Sequence, residues 1–437
     1  MKRANIVHAD LNPCGGAEQV AIATIQALTE MDLEVELTVA RCPDISRLRN
    51  AFGARKVDVI FSRIKRINLL DTLLTIQSKN CHDGNDCGIN DTITINTHGD
   101  VLPYYLPCFS KVNAITYCHY PIVPGLALRR DPSYLDYLRS LGMIKFSYPT
   151  SKVDTGGNGK ITDNRYTEND YSLFWQDLQK TYLMMLKHST IITNSTFSKD
   201  AIQRELSPMP PVSSSTVQVV SEPIVIPPPV SVEEFRRATL YSKEREDFVV
   251  VISRFNPSKK LENAITLANM LKKQRIGKGM IIAGGLMPED SDYYHHIVNL
   301  AKEYDVSDYV KFKVNVTSDN LKTILRKGKV YFHPMPGEPF GISVAEAMSC
   351  GLIPIVPSVG GHNDFVPKRY RYVSLEDAVG KISFALSASQ EDRTSISNLV
   401  TRFSEANYVK SIQRLVANVL QGIRASDNVA YAEDTIA

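Results

Sequence analysis

The stretch HPMPGEPFGISVAEAMSCGLIPIVPSVGG, residues 333–361, reads as the end of a strand, a loop, a helix and a second strand. Tyr331 and Phe332 close a buried strand that follows Lys329, and the Pro/Gly-rich loop after them carries Glu338 as its one acid. Gly341-Ile342-Ser343-Val344-Ala345-Glu346-Ala347-Met348 is small and apolar at helical spacing, Gly351 stops the helix, and residues 353–356 return as strand. In parallel α/β sheets ligands sit beyond the carboxyl ends of the strands, which is where this loop opens. The helix start adds free N–H groups and a positive dipole end, a setting for an anion.

Two acids eight positions apart frame the loop and helix. Glu346 lies about 7 Å along the helix from its start, at roughly 1.5 Å per residue, so it and Glu338 can reach different parts of one extended ligand. As a plain helix-surface acid Glu346 would be unremarkable, but its neighbours are Ala345, Val344, Ala347 and Met348, where an unpaired carboxylate is costly.

Glu338-Pro339-Phe340-Gly341-Ile342-Ser343-Val344-Ala345-Glu346-Ala347-Met348, with Gly351 and Pro354, resembles the E-x7-E signature of retaining glycosyltransferases of family GT4. The resemblance implies the α/β GT-B fold, two doubly wound parallel-sheet (Rossmann-like) domains facing a cleft. It further implies that Glu338 contacts the donor sugar and that Glu346 binds the nucleotide ribose. The N–H groups around Phe340, Gly341 and Ile342 would hold sugar and diphosphate.

At 437 residues the chain exceeds what one core usually serves, so two domains are expected. A net charge of +3 argues neither for nor against nucleic acid, and no motif asks for it. Seven scattered cysteines without a C-x-x-C pair suit reduced thiols in the cytoplasm, and Cys81, His82 and Cys87 read as loop residues rather than a metal site. Apolar runs stay below the roughly 20 residues that span a bilayer, and strand-like sequence begins almost at Met1, which leaves no room for a signal peptide.

Strands are expected at residues 4–8, 34–39, 57–61, 92–95 and 113–117, alternating with helices as in a doubly wound sheet. Between the first strand and its helix, Gly15-Gly16 lets backbone approach a phosphate, and Gly15-Gly16-Ala17-Glu18 resembles the GG-x-E turn whose glycines face the donor diphosphate in GT4 enzymes. No full G-x-G-x-x-G is present, which weighs against a nicotinamide or flavin site. His119 follows the strand at 113–117. A lone histidine is usually structural, yet His119-Tyr120-Pro121 resembles the mannosyltransferases that extend lipid-linked oligosaccharides in eukaryotes, and the resemblance places His119 on the donor phosphate and sugar. His98 is the lesser candidate. Residues 124–172 read as an irregular surface loop, a candidate acceptor lid, followed by a helix at 173–188. Ile191 through Ser198 resembles the family's N-S-x-F-S turn.

The Pro/Ser-rich stretch 207–229 marks the domain boundary, giving an acceptor-side domain at 1–222 and a nucleotide-sugar domain at 223–399, with a helix within 400–437 packing back on the first. Strands are expected at 248–252, 279–283, 310–312 and 330–332. Arg254 and Lys259 leave the first of these five residues apart, where both can turn toward a diphosphate. Their spacing matches the family's R-x4-K element, which neutralises the leaving nucleoside diphosphate. Lys260 is adjacent. Asp290-Ser291-Asp292 reads as a solvated loop away from these elements, and no metal is expected.

The reading is a retaining hexosyltransferase with catalytic His119, Glu338, Arg254 and Lys259, acting on a sugar nucleotide, GDP-mannose favoured, with no further cofactor. The acceptor would be a polyprenyl- or dolichyl-diphosphate-linked glycan at the cytosolic face of a membrane. The alternatives are a GT4 transferase with a soluble acceptor and a non-catalytic sugar-nucleotide-binding protein. Residues 41–66 hold eight basic side chains against Asp44 and Asp58, interleaved with apolar residues, and are expected to dock on an anionic membrane surface.

Overall fold

The computed structural model describes residues 2–69, 92–100, 113–141, 168–207 and 222–421. Two compact units divide between residues 224 and 225, except that Asn194–Ser198 belongs with the second unit and residues 412–421 with the first.

In the first unit the strands are β1 (Arg3–Val7), β2 (Glu34–Val39), β3 (Ile64–Leu69), β4 (Thr92–Asn96), β5 (Asn113–Cys118), β6 (Thr190–Thr193) and β7 (Ile224–Val225), in the order β3-β2-β1-β4-β5-β6-β7. The pairings from β3 through β6 are all parallel. Strand order reverses at β1 and β4, so the chain leaves the carboxyl ends of these two strands in opposite directions and opens a crevice there.

Two expectations for this unit are corrected. Residues 57–61 lie in a helix, Ala54–Ser62, and the strand is the following segment β3. Val57 and Ile60, three apart, are buried while Val59 is 45% exposed, the pattern of a one-sided helix. The chain at 124–141 is not irregular: helices Ile122–Arg129 and Pro132–Ser140 occupy it, the second capped by Asp131, whose carboxylate accepts the Ser133 N–H. The next helix begins at Glu168. The rest of the candidate lid (142–167), Cys81, His82 and Cys87 lie outside the described residues.

The second unit holds β8 (Phe248–Ile252), β9 (Gly279–Gly284), β10 (Val310–Val314), β11 (Gly328–Phe332), β12 (Ile353–Pro357) and β13 (Arg371–Tyr372), all parallel, in the order β10-β9-β8-β11-β12-β13. Helices cover both faces, so Val249, Val250 and Val251 are all buried; this is why such strands read as continuous apolar runs. Here the order reverses at β8 and β11. Asp290 and Asp292 are not in a loop: a 3-10 turn, Pro288–Asp290, leads into the helix Ser291–Glu303.

Phe340, Phe365 and Phe403 pack ring against ring with centroids 5.1 Å apart in each pair, and all three are buried. This aromatic knot fixes the loop of Glu338 from beneath. The last described helix, Glu405–Leu420, follows Phe403, and from Ile412 it counts with the first unit, where Gln413 Nε2 donates to the Ala27 carbonyl at 3.1 Å. Phe403→Ala should destabilise the protein by about 3 kcal/mol, the low end for a buried Phe truncated to Ala. Urea unfolding followed by intrinsic fluorescence checks this, and a change under 1 kcal/mol would mean the knot is not a principal support.

Candidate functional site

The second unit's site is built at the β8/β11 reversal. After β8 the chain turns through Arg254, with Phe255 buried against Tyr294 and Phe312 as its anchor. Asn256 then shapes the turn: its side-chain oxygen accepts the Ser258 N–H, and its amide donates to Asp290 Oδ1 at 2.7 Å. Asp290 therefore braces the very loop from which it was expected to be remote. Arg254 is exposed and makes no ion pair among the described residues. Lys259 is half-buried and its Nζ donates to Glu338 Oε2 at 2.8 Å. Lys260 is exposed, with a left-handed φ of 53° at the start of the helix Leu261–Lys273.

After β11 the loop is pinned at several points. The His333 carbonyl accepts the Tyr372 hydroxyl at 2.9 Å and the Pro334 carbonyl accepts Asn263 Nδ2 at 3.0 Å. The Glu338 carbonyl accepts the Gly361 N–H at 2.8 Å, and the Pro339 carbonyl accepts Ser195 Oγ at 2.5 Å. Gly361 must be glycine, because a Cβ there would stand 1.8 Å from the Pro339 oxygen.

The helix Ile342–Ser349 starts from Gly341, at φ 95°, with no side-chain cap. A side chain at Gly341 would meet Val344 Cγ2 at 2.9 Å. Among the described residues no acceptor takes the Ile342 or Ser343 N–H, so the helix offers both to a ligand. Ser343 is held by its hydroxyl, 2.8 Å from the Tyr331 hydroxyl. Phe340 contributes backbone only, its ring being in the aromatic knot.

Glu346 is half-buried and its carboxylate has no hydrogen bond or ion pair among the described residues. Burial, with a smaller push from Glu234, lifts its carboxyl to about 7. Two histidines sit beneath Glu338. His333 Nε2 lies 3.7 Å from Glu338 Oε2, and burial together with Lys259 lowers His333 to about 3. His362 is wholly buried, its ring edge-on to that of His333 at 5.6 Å, and burial lowers it to about 3. Both are neutral imidazoles at physiological pH, which leaves Lys259 as the cation on Glu338.

In the first unit the matching place is the β1/β4 reversal. Gly15 is the N-cap of the helix Gly16–Thr29, and its N–H donates to Glu18 Oε2. Glu18 Oε1 faces His8 Nε2 at 3.5 Å. His119, after β5, donates Nε2–H to the Thr97 carbonyl at 2.9 Å, and burial lowers it to about 4. His98 stacks with Tyr137, whose hydroxyl lies 2.5 Å from His98 Nε2. Burial works against protonation of His98, but Asp100 Oδ2 at 3.5 Å outweighs it and raises the ring above its ordinary value.

Within the second unit, then, the structure joins Lys259 to Glu338 and sets Gly341, Ile342 and Glu346 on the loop and helix beside them. Within the first it sets Gly15, Gly16 and His119 around one reversal. Sequence reading passed over His333, His362, His8 and Thr97, took Ser195 only as part of the N-S-x-F-S turn, and set Asp290 aside as a solvated loop acid. His333, His8 and Thr97 each stand just past a strand's carboxyl end, and that position was the one available signal for them.

Residues 232–397 match the family described as glycosyl transferases group 1. Among curated proteins, the chain is 24% identical over 284 residues to a GDP-Man:Man(3)GlcNAc(2)-PP-Dol alpha-1,2-mannosyltransferase of Dictyostelium discoideum, covering 62% of this chain and 51% of that protein. The human protein of the same name is 28% identical over 214 residues, 44% of each chain. The chain thus spans about half the length of the curated relatives it matches. Among solved structures, HepE of Anabaena in complex with UDP aligns with a TM-score of 0.62 at 14% identity, covering 97% of this chain and 100% of that one. Sucrose-phosphate synthase of Thermosynechococcus elongatus aligns at 0.63, also at 14% identity, over 97% and 100%. Two parallel-sheet units with these neighbours, and a family match across the loop and helix of Glu338 and Glu346, place the chain in the GT-B fold with a group 1 (GT4) glycosyl transferase domain over residues 232–397.

Proposed function

We propose that the chain is a retaining glycosyltransferase that moves mannose from GDP-mannose to a polyprenyl- or dolichyl-diphosphate-linked glycan. The observation that carries this is the set of groups at the β8/β11 reversal that find no partner among the described residues: two helix-start N–H groups without acceptors, Arg254 without an ion pair, and Glu346 without a hydrogen bond at its carboxylate. A diphosphate takes the N–H groups and Arg254, and a ribose hydroxyl takes Glu346. The names of the mannosyltransferase relatives support mannose and the lipid-linked acceptor.

On this reading catalysis is electrostatic. As the sugar separates with oxocarbenium character, charge grows on the departing diphosphate and meets Arg254, Lys259 and the amides of Ile342 and Ser343. In the donor-free protein Lys259 is shared with Glu338; once it turns to the phosphate, the Glu338 carboxylate accepts sugar hydroxyls. Resemblance to the GT4 motifs supports a donor-handling role for the Gly15-Gly16 turn and for His119, a neutral ring with Nε2–H already given to Thr97. Fixed cations and amides supply the charge that a metal would otherwise bring, so the reading includes none.

The acceptor calls for a membrane surface. Around the basic segment, Arg41 pairs with Asp10, Arg49 with Asp58 and Lys65 with Glu34. Arg55, Arg63 and Arg66 are exposed without an ion pair among the described residues, next to Ile67 and Leu69, which are 41% and 44% exposed. Among the described residues no helix is long and apolar enough to cross a membrane. This face therefore suits docking on the cytosolic leaflet from outside, each basic residue contributing about 1 kcal/mol near an anionic surface.

The direct test is incubation with radiolabelled GDP-mannose and a lipid-linked acceptor in EDTA, with the product's anomeric configuration determined. Transfer with retention is expected, and Arg254→Ala and Lys259→Ala should each cost at least tenfold in turnover, about 1.4 kcal/mol of barrier. Inversion, or unchanged turnover in both variants, would refute the assignment.

Glu346 carries a trade-off with a definite sign. Its folded value near 7 lies above the ordinary 4.5, so the stability linked to it is present below 4.5 and lost as pH rises through 7. Glu346→Gln should therefore raise the donor-free stability at pH 8 by an amount of order 1 kcal/mol, seen as a higher melting midpoint, with little change at pH 5. The same variant should weaken GDP binding by at least about tenfold, since it removes a hydrogen bond to a charged group. Differential scanning fluorimetry and calorimetry read the two effects; unchanged GDP affinity removes Glu346 from the site.

For docking, sedimentation with anionic but not neutral liposomes is expected, with release as salt rises. Replacing Arg63, Lys65 and Arg66 by Ser should abolish it and leave GDP binding intact. Equal sedimentation of triple variant and wild type would exclude this face.

A further inference from the structure

Three polar residues of the first unit have no role in the mechanism above, yet each is buried: His8, Glu18 and Thr97. They form one chain. Gly15 N–H donates to Glu18 Oε2; Glu18 Oε1 faces His8 Nε2 at 3.5 Å; His8 Nδ1 lies 3.0 Å from Thr97 Oγ1; and the Thr97 carbonyl accepts His119 Nε2–H at 2.9 Å. Its two ends are the turn and the histidine proposed to handle the donor.

The proton positions follow from the chemistry of the ends. Burial raises the Glu18 carboxyl, but the contacts with His8 and the Gly15 N–H outweigh this and hold it below its ordinary value, so it is a carboxylate. Burial lowers His8, only partly opposed by Glu18, so the ring is neutral. A neutral imidazole facing a carboxylate presents its N–H, not its lone pair. His8 is therefore protonated on Nε2, and its Nδ1 accepts the Thr97 hydroxyl proton. That hydroxyl has a second acceptor in reach, the Val7 carbonyl at 3.3 Å, which it uses only if Nδ1 carries the proton. Thr97 is thus held by its side chain from His8 while its carbonyl holds His119.

We infer that Glu18 is a positioning residue that acts through His8 and Thr97 to set His119 against the Gly15-Gly16 turn, so that phosphate-facing backbone and sugar-facing imidazole are registered by one carboxylate. This rests on the donor-handling roles proposed for Gly15, Gly16 and His119. A carboxylate is required because it alone can present an acceptor oxygen at both places, to the Gly15 N–H in a hydrogen bond and to the His8 Nε2–H in the 3.5 Å contact. An amide has one acceptor oxygen, and its NH2 meets another donor at one of the two places.

Glu18→Gln is the test, since it preserves shape and reverses the chain. With the Gln oxygen kept by Gly15, its NH2 faces His8, which shifts to the Nδ1–H tautomer, and the Thr97 hydroxyl turns to Val7. Nitrogen-15 NMR of histidine-labelled protein should show His8 protonated on Nε2 in the wild type and on Nδ1 in the variant, while His119 stays protonated on Nε2 in both. This readout needs no turnover, so it stands or falls apart from the proposed reaction. A His8 ring unmoved by Glu18→Gln overturns the relay.

The positioning role is read by a double-mutant cycle. Glu18→Gln should lower kcat at least tenfold in the wild type but less than threefold in a His119→Ala background, because its effect passes through that ring. A tenfold loss in both backgrounds would show that Glu18 acts through Gly15 alone and overturn the inference, as would no loss in the wild type. Should Glu18→Gln fail to fold by circular dichroism, Thr97→Val cuts the chain at its middle without touching a charge. It should show the same dependence on His119, and additivity with His119→Ala would overturn the inference.

Discussion

A parallel strand that is buried on both faces can be followed by the next one only after the chain has crossed back over the sheet, and the hand of that crossing is fixed by strand twist. Each unit therefore starts with a central strand, β1 or β8, builds outward on one side for two strands, then returns to the other side of the centre at β4 or β11. At that reversal neighbouring loops diverge and cannot cover one another. The groups described above at the two sites come chiefly from these places: after β1 and β4, with β5 alongside, and after β8 and β11, where Glu338, the helix start and the R-x4-K turn meet. Packing rules set the location, and side chains supplied the chemistry.

The two reversals carry opposite solutions to the cost of buried polarity. In the second unit the groups are left partly unsatisfied: Arg254 has no counter-ion among the described residues, the helix Ile342–Ser349 has no side-chain cap, and Glu346 is lifted to about 7 by burial. Such groups cost stability in isolation and reward a ligand that completes them. Their supports are correspondingly heavy, with an aromatic knot below, a backbone clamp to Gly361 and a hydroxyl pair between Tyr331 and Ser343. In the first unit the polar groups run in a chain from Gly15 to His119, joined by hydrogen bonds except where Glu18 Oε1 faces His8 Nε2 at 3.5 Å.

Much of this was legible in the sequence. Strand apolar runs, the glycine stops and the E-x7-E spacing made the loop and helix of residues 333–361 readable, and Arg254 and Lys259 followed from their offset past a strand. The first domain was less clear where helical and strand patterns compete: Val57, Val59, Ile60 and Phe61 are apolar and three of them β-branched, yet only Val57 and Ile60 are buried. Residues 124–141 read as loop because Pro124, Gly125, Pro132 and Ser133 look like turn residues. Pro132 and Ser133 in fact open a helix behind the Asp131 cap, where the missing proline N–H costs nothing.

By itself, the sequence determined what is local: element type over strongly periodic segments, the glycine turns, and the spacing of acids and cations along a single loop or helix. Contacts between residues far apart in the chain were decided by tertiary structure alone. Lys259 reaches Glu338 across 79 positions, Ser195 holds the Pro339 carbonyl across 144, and His8 meets Thr97 across 89. So too were the protonation states, since whether Glu346 is near 7 or His119 near 4 depends on burial, a property of the packed shell around each group. The physical reason is one of range: periodicity and turn chemistry act over a few residues, whereas desolvation and ion pairing depend on which strands the crossovers have set side by side.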